Sequence, residues 1–343
     1  MADAAGVSTA TVSRVLNGLT VRAPLLARVQ AAVAELGYVP NAGARALMLD
    51  RSGTVGAIFP TVDNAIYAKA IDALEERLGE EGLQLLIATS GFDSGREMHQ
   101  AVNLVGRGAD ALALCGVGQQ PALRQFLRQR GTPVVHVMSV PGPDEDMVCV
   151  GFDNAKAMSL AVQYLVDLGH RDIAVLAGLS RDNDRARSRL QGVHDSMRRA
   201  GLTLPAHRIV ERAYSLDAGR DGLRALMSPP AVGGGRTGRG ARTTSPPTAV
   251  VCGNDVLAFG ALLEARRLGR EVPRDLSILG FGDLELAHHL EPGITTISVP
   301  TAAMWRIAAE RLIAMLRGEA VASVTSIDVT LVVRGSTARA RRR

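Results

Sequence analysis

Aromatic residues make up only 3% of this 343-residue chain, although 47% of it is hydrophobic. A chain of this length suits two or three compact units, and Val, Leu, Ile and Ala must supply most of the core. No run of about 18 apolar residues occurs, so we expect no membrane span and no membrane partner. The first residues, Met1 to Gly6, lack the basic start and apolar stretch of a signal peptide, which favours a cytoplasmic protein.

Cysteine is also scarce, and the three thiols lie far apart in apolar runs: Cys115, Cys149 and Cys252. This pattern favours buried free thiols over a disulfide or a metal site. The seven histidines show no metal-ligand spacing, and no set of nucleophile, base and acid is visible. We therefore expect neither a metal nor a cofactor, and an enzyme is the weakest interpretation.

Basic charge by itself does not indicate nucleic-acid binding in this chain. The net charge is +5, but four arginines lie among residues 339–343, and 5 − 4 leaves only +1 for the rest. A basic tail of this kind beyond the last strand, residues 337–343, is expected to be disordered.

Residues 1–38 read as short helices that form a small all-α unit. Thr9 to Leu16 places its apolar residues on one face, and Pro24 to Leu36 repeats apolar residues at helical spacing. Pro24 suits a first helical turn, and Gly37 suits the position just past a helix end.

From Gly53 onward, apolar strand-like runs alternate with amphipathic helices. This alternation predicts parallel sheets covered by helices on both faces, and about 280 residues suffice for two sheets with a ligand crevice between them. The predicted strands are Val55–Phe59, Leu85–Ala88, Ala111–Leu114, Val134–Val137, Ile173–Leu176, Ala249–Val251 and Ile278–Leu279. The predicted helices are Ala65–Glu81, Pro121–Arg130, Ala155–Leu168, Ala186–Ala200, Val256–Leu268 and Ala302–Arg317.

The segment from Ala5 to Gly18 has the composition of a DNA-reading helix and its preceding turn. Gly6 suits the turn and Ser8 suits the N-cap of the next helix. The exposed face of that helix then offers small and polar groups to base edges, and Arg14 can bind guanine through two hydrogen bonds. An ordinary surface helix with a serine cap remains the alternative. The candidate base contacts are Thr9, Ala10, Ser13 and Arg14, and the candidate phosphate contacts are Ser8, Ser13 and Asn17.

The same segment, AGVSTATVSRVLNG, closely resembles the helix-turn-helix signature of the LacI/GalR family of transcriptional regulators. The run ELGYVPN before Ala42 resembles that family's entry into its hinge helix, and NAGARAL resembles the hinge itself. The resemblance implies DNA contacts by Asn41, Arg45 and Leu47, with Leu47 of each subunit wedged into the minor groove at the operator centre.

Three residues depart from the family pattern. The first helix is cut to Ala2–Ala5. Arg22 replaces the usual Ser or Thr at the N-cap of the third helix, and Gly43 lies inside the hinge helix. A glycine there costs roughly 0.5–1 kcal/mol relative to alanine, so the hinge is expected to fold only on DNA. The short first helix leaves open a regulator-like protein that has lost DNA binding.

The resemblance continues through the rest of the chain, in the runs GAIFP, VGFDN, LGHRDI, CGND and VPRDLSILGF. It implies a core like that of periplasmic sugar-binding proteins, with a ligand closed between two lobes. Asp255 follows a predicted strand, where open α/β sheets bind ligands, and Arg189 matches a ligand-contacting arginine of the family. For these residues a solvated surface side chain is the alternative, and for Asp255 so is a helix cap. The weaker candidates are Asp63, Asn64 and Asp283, the last because Gly282 stands where the family often has Asp.

The sequence thus predicts a helix-turn-helix domain at 1–38, a hinge helix and linker at 39–52, and a two-lobed ligand-binding and dimerisation core at 53–336. The predicted function is that of a transcriptional repressor that binds a double-stranded, near-palindromic operator as a homodimer. Its effector is a small sugar or sugar acid, because VGFDN is similar to gluconate-type repressors and Arg189 suits an acid. The alternatives are a solute-binding protein and a regulator-like protein without DNA binding.

Overall fold

The computed structural model describes residues 1–16, 19–38, 51–142, 145–228 and 245–341. The chain divides into two compact units, Met1–Gly53 and Thr54–Arg343. In the described ranges, no helix is long and apolar enough to span a bilayer.

The first unit contains the short helices predicted from the sequence: α1 (Ala2–Ala5), α2 (Thr9–Leu16) and α3 (Ala23–Leu36). Their shared core consists of small side chains, Ala5, Val12, Val29 and Ala32. Gly6 ends α1 with a φ of 56°, a conformation that favours glycine. The Arg28 guanidinium of α3 donates to the Gly6 carbonyl at 2.5 Å and ties the turn to the third helix.

The first lobe of the second unit is built on a six-stranded parallel sheet in the order β11-β5-β4-β3-β1-β2. Its central strands β4, β3 and β1 are buried except for the first residue of β4 and of β1, as expected for a sheet covered on both faces. The strands are β1 (Thr54–Phe59), β2 (Gln84–Thr89), β3 (Ala111–Cys115), β4 (Val134–Val137), β5 (Cys149–Gly151) and β11 (Val324–Ser326). The helices of this lobe are α4 (Ala65–Gly79), α5 (Ser94–Gly106), α6 (Pro121–Arg130) and α12 (Thr301–Leu316).

The second lobe has a sheet of the same size in the order β12-β10-β9-β8-β6-β7, in which only the β10–β12 pair is antiparallel among the described strands. The strands are β6 (Ile173–Gly178), β7 (Ile209–Arg212), β8 (Ala249–Cys252), β9 (Ser277–Gly282), β10 (Thr295–Ser298) and β12 (Thr330–Val332). The helices are α7 (Asn154–Asp167), α8 (Asp184–Arg199), α9 (Leu216–Met227), α10 (Asp255–Arg267) and α11 (Glu285–His289).

The chain passes from one lobe to the other after β5, after β10 and after β11. Several helices begin where a polar side chain caps the backbone at the carboxyl end of a strand. Asn64 caps α4, Asn183 caps α8 and Asn254 caps α10, each by accepting a hydrogen bond from a backbone N–H. These caps lie where open parallel sheets bind ligands, and they border the cleft between the lobes.

The prediction of a disordered tail from residue 337 is wrong up to Arg341. Ala338 and Ala340 donate their N–H groups to Ser277 Oγ (3.1 Å) and to the Leu168 carbonyl (2.9 Å). The buried His170 ring bonds the Ala338 carbonyl through Nε2 at 3.0 Å. Backbone pairing to two elements therefore holds this segment, whatever its charge.

Candidate DNA-binding helix and ligand cleft

Helix α2 presents the predicted base-reading face to solvent. Thr9, Ala10, Ser13 and Arg14 are all exposed, while Val12 on the opposite face is buried. Ser8 precedes the helix, and its Oγ accepts a hydrogen bond from the Thr11 N–H at 3.2 Å, as an N-cap does. Arg22, at the N-cap of α3, makes no side-chain cap bond. The remaining predicted DNA contacts, Asn17, Asn41, Arg45 and Leu47, lie outside the described residues.

Arg189 lies on the wall of the pocket between the lobes, on the second turn of α8. Its Nε donates to Asn154 Oδ1 at 2.9 Å and its Nη1 to the Gly253 carbonyl at 2.7 Å. The guanidinium stacks on the Phe281 ring, with Cζ 4.0 Å from the ring centroid. These partners are neutral, and burial lowers the pKa of Arg189 below its usual value. Within the described ranges no carboxylate lies at salt-bridge distance from it, so the site holds an uncompensated positive charge.

Arg185 lies one turn earlier on the same helix and is also buried, but it is paired. Its Nη1 contacts Asp184 Oδ1 at 3.0 Å. The Asp184 carboxylate also accepts hydrogen bonds from the Val117 N–H and the Ser139 hydroxyl, both of the first lobe. Burial alone would raise the pKa of Asp184, but Arg185 and these two donors hold it below its usual value. One side chain of the second lobe thus binds two loops of the first.

Asp255 is not among the residues that line this pocket, so its contact with ligand stays a prediction. It is fully buried, with Oδ1 accepting from the Thr296 hydroxyl at 2.6 Å and Oδ2 from the Leu284 N–H at 2.7 Å. Burial raises the pKa of this carboxyl to about 6. The cap of α10 is the preceding residue, Asn254, so the alternative of Asp255 as N-cap is wrong.

The three weaker candidates fall in different places. Asn64 lines the cleft pocket and also caps α4. Asp63 is exposed and lines a groove outside that pocket. Asp283 has a left-handed backbone (φ 55°), is paired with Arg334 at 2.7 Å, and lines another pocket together with Ile66 and Lys69 of the first lobe.

The cleft also contains residues that the sequence analysis did not select. Four of them are aromatic, Tyr67, Phe92, Tyr214 and Phe281. Three more are Asn183, Asn254 and Arg185. Phe92 of the first lobe and Tyr214 of the second face each other with ring centroids 5.8 Å apart. The four-residue spacing between Arg185 and Arg189 was a usable signal, since such residues share a helix face. The aromatic positions carried no comparable signal.

Comparison with known proteins agrees with this architecture. Residues 1–41 match the model described as bacterial regulatory proteins, lacI family, and residues 162–337 match the periplasmic binding protein-like domain. The ribose operon repressor of Escherichia coli (strain K12) is 32% identical over 315 residues, which are 91% of this chain and 91% of that protein. This chain belongs to the lacI family.

Two further lacI-family proteins match over nearly the whole chain. The transcriptional regulator GntR of Escherichia coli (strain K12) is 32% identical over 323 residues, 94% of this chain and 92% of that protein. The crystal structure of the lac repressor dimer bound to operator and the anti-inducer ONPF superposes with a TM-score of 0.83 at 26% identity. It covers 98% of this chain and 97% of its own, so the predicted fold class is confirmed.

Proposed function

We propose that this lacI-family protein is a transcriptional repressor that binds a near-palindromic operator as a homodimer, and that its effector is a sugar acid. The operator-binding part of the proposal is supported by α2, whose exposed face carries Thr9, Ala10, Ser13 and Arg14 behind a Ser8 cap. Arg14 offers the bidentate fork that reads guanine in the major groove.

The homodimer is supported by the edge of the first lobe's sheet. β2 is the outer strand of that sheet, and its Leu86 and Ile87 side chains are 38% and 43% exposed. Val102 on the adjacent α5 is 39% exposed. Bare apolar edge strands are usually covered in native proteins, and a second copy of the chain covers this one symmetrically.

The acidic effector is supported by the charge of the cleft pocket, and Arg189 carries this part of the proposal. Arg185 and Arg189 line the pocket, and its described lining includes no Asp or Glu. The Asp184 carboxylate balances the positive charge of Arg185, whereas the hydrogen-bond partners of Arg189 are neutral. A ligand carboxylate at the Arg189 guanidinium supplies the missing charge with charge-assisted hydrogen bonds.

The remaining lining groups suit hydroxyls. Asn64, Asn183 and Asn254 provide amide donors and acceptors, and the Phe92 and Tyr214 rings provide flat faces for a sugar ring or chain. These groups also favour the second candidate, a neutral sugar, for which arginine binds paired hydroxyl oxygens.

Calorimetry with matched acid and neutral ligands separates the two candidates. Gluconate and glucose, and galactonate and galactose, differ at the carboxylate that Arg189 would bind. We expect an acid to bind at least about tenfold more tightly than its neutral partner, and Arg189→Met to remove that preference. Arg187→Met is the matched control, since Arg187 lies on the same helix but is exposed. Tighter binding of a neutral sugar, unaffected by Arg189→Met, would replace the sugar acid with the second candidate.

A further inference from the structure

A second cavity of about 600 Å³ lies in the first lobe, on the far side of the loop that joins β3 to α6. Leu114, Leu123, Leu127 and Val134 line it with apolar surface. Among the described residues that line this cavity, Gln119 alone also lines a small neighbouring pocket that contains Asp184 and Arg185. Cavities of this size hold small organic ligands in other proteins.

Gln119 leaves a buried hydrogen-bond acceptor without a partner at this cavity. The residue is 4% exposed, and its Nε2 donates to the Cys115 and Gly116 carbonyls, each at 3.3 Å. Glu97 Oε1 is a third acceptor, 3.4 Å from the same Nε2, and because all three partners are acceptors they fix which end of the amide is nitrogen. Oε1 is then left with no hydrogen-bond partner within the described ranges. Native proteins rarely leave a buried acceptor unpaired. A hydrogen-bond donor from outside the described protein residues would therefore satisfy Gln119 Oε1.

His136 and Arg124 extend the polar side of the same cavity. His136 is 6% exposed, and its Nδ1 bonds the Gly116 carbonyl at 3.1 Å, which makes Nε2 the lone-pair nitrogen of the ring. Burial lowers the pKa of His136 to about 4, so the ring is neutral at pH 7. Arg124 Nε is buried and has no acceptor in the described part of the chain. The wall thus combines acceptors with one donor.

The formal charges around the cavity balance. Arg124 contacts Glu145 at 3.2 Å, and the other charged residues of the lining are Arg128 and Asp146. A charged ligand would therefore add an uncompensated charge to a partly buried, low-dielectric site, at a cost that a neutral ligand avoids.

We propose that this cavity is a second small-molecule site, which takes a neutral compound with an apolar body and an amide-like edge, and that its occupancy adjusts closure of the cleft. The amide-like edge donates to His136 Nε2, and it reaches the buried Gln119 Oε1 and Arg124 Nε once those two side chains turn toward the cavity. The apolar body lies against Leu123, Leu127 and the neighbouring aliphatic side chains.

The route to the cleft runs through the loop between β3 and α6. Arg124 Nη2 donates to the Val117 carbonyl from the cavity side. The N–H of the same Val117 donates to Asp184 of the second lobe at 3.0 Å. An occupant that bonds Arg124 or Gln119 therefore acts on a loop that also carries an interlobe hydrogen bond. This coupling rests on the proposed function, whereas occupancy of the cavity does not.

Methyl NMR on the full chain tests occupancy directly, with 2-pyridone, benzamide and uracil as probes and benzoate as the charged control. We expect a neutral probe to shift the methyl signals of Leu123, Leu127 and Val134 at millimolar concentrations, and benzoate to shift them less. Val134→Phe and Thr132→Phe fill the cavity and should weaken binding by about tenfold or more. Leu160→Phe, at an exposed site of α7, should leave binding unchanged.

Absence of these shifts with all three probes, or equal binding by Val134→Phe, Thr132→Phe and wild type, overturns the proposal. Thermal melting identifies any variant that fails to fold, and the second filled variant then decides the result.

Coupling is measured separately, as the change in gluconate affinity when the cavity is saturated with the best probe. We expect a change of about fivefold or more, lost in Asp184→Asn while the cavity still binds the probe. An unchanged gluconate affinity overturns the closure part of the proposal. If gluconate does not bind at all, the sugar-acid assignment has failed, and the same coupling is measured with the sugar that does bind.

Discussion

The backbone N–H of Val117, just after β3, donates a 3.0 Å hydrogen bond to Oδ2 of Asp184, at the start of α8 in the other lobe. The Ser139 hydroxyl, which follows β4, donates to the same oxygen at 2.9 Å. One carboxylate therefore joins two loops of the first lobe to the helix that carries Arg185 and Arg189. Ligand binding and lobe closure share this helix.

Asp184→Asn is expected to weaken effector binding by about ten- to a hundredfold, because the substitution removes charge-assisted hydrogen bonds that hold the lobes closed on the ligand. Asp195 lies on the same helix, and in the described part of the chain its side chain pairs only with the exposed Arg198, so Asp195→Asn should bind effector as wild type does. Calorimetry with the preferred effector measures both. Equal affinities of the two variants would show that the Asp184 contacts do not contribute to closure around the ligand.

Asp255 is expected to make the stability of the protein depend on pH. Burial raises its pKa to about 6 from 3.8, so the native state favours the protonated form. The stabilisation from this group is complete below pH 3.8 and is lost as the pH rises through 6. Asp255→Asn cannot titrate and can keep both hydrogen bonds, by accepting from Leu284 and donating to Thr296.

The free energy of unfolding of the wild type, relative to Asp255→Asn, should therefore fall by about 1 kcal/mol from pH 5 to pH 7 and change little above pH 7. Urea unfolding of both proteins at a series of pH values gives this difference. The contributions of the other titrating groups cancel because the two proteins share them. A difference that stays constant over the range contradicts a raised pKa for Asp255.

Gly192→Ala is expected to destabilise the core by about 2 kcal/mol or more, because α7 and α8 approach each other closely there. A Cβ at Gly192 would lie 2.2 Å from the backbone carbonyl oxygen of Ala155, which cannot move as a side chain can. Gly106→Ala is the matched control at the end of α5, where a Cβ meets nothing within 4 Å. There alanine should be neutral or stabilise the helix by up to about 1 kcal/mol. Denaturant melts distinguish the pair, and similar midpoints would exclude the close helix contact.

Arg14→Ala is expected to cost about 1–3 kcal/mol of binding to the cognate operator and much less on random DNA, if Arg14 reads a base edge. Arg22→Ala removes the same charge from another exposed position of the unit and should leave the ratio of specific to non-specific binding unchanged. Anisotropy titrations at fixed salt measure both. A loss of equal size on the two DNAs would make Arg14 a phosphate contact.

Much of the architecture could be predicted because helix and strand periods are local. The predicted helix Thr9–Leu16 and strand Val134–Val137 match the structure residue for residue. Short or amphipathic elements with weak patterns were missed: the helices α5, α9 and α11, and the strands β5, β7, β10, β11 and β12. These elements form because of the sheet or helix that each packs against, and such contacts join residues far apart in the sequence.

The cleft was harder to predict than the fold. Arg189 was selected by resemblance and lies on the pocket wall, whereas Asp255, selected in the same hypothesis, is fully buried and is not among the residues that line the pocket. Asn254 and Asp255 are adjacent in the chain. Asn254 lines the pocket, whereas Asp255 bonds Thr296 and Leu284. At the start of a helix a step of one residue turns a side chain by about 100°, and a sequence pattern does not fix that rotation.

Operator titration of the full chain, with and without saturating effector, is the decisive test of a repressor whose grip on DNA is controlled by a sugar acid. The DNA is the sequence that the protein selects from a random pool, and binding is followed by fluorescence anisotropy at constant salt. We expect a selected site with two half-sites about one helical turn, or a multiple of it, apart. We also expect a change in operator affinity of about fivefold or more with a sugar acid, which disappears in Arg189→Met. Failure to select any site, or an operator affinity that no sugar acid or neutral sugar changes, would contradict this function.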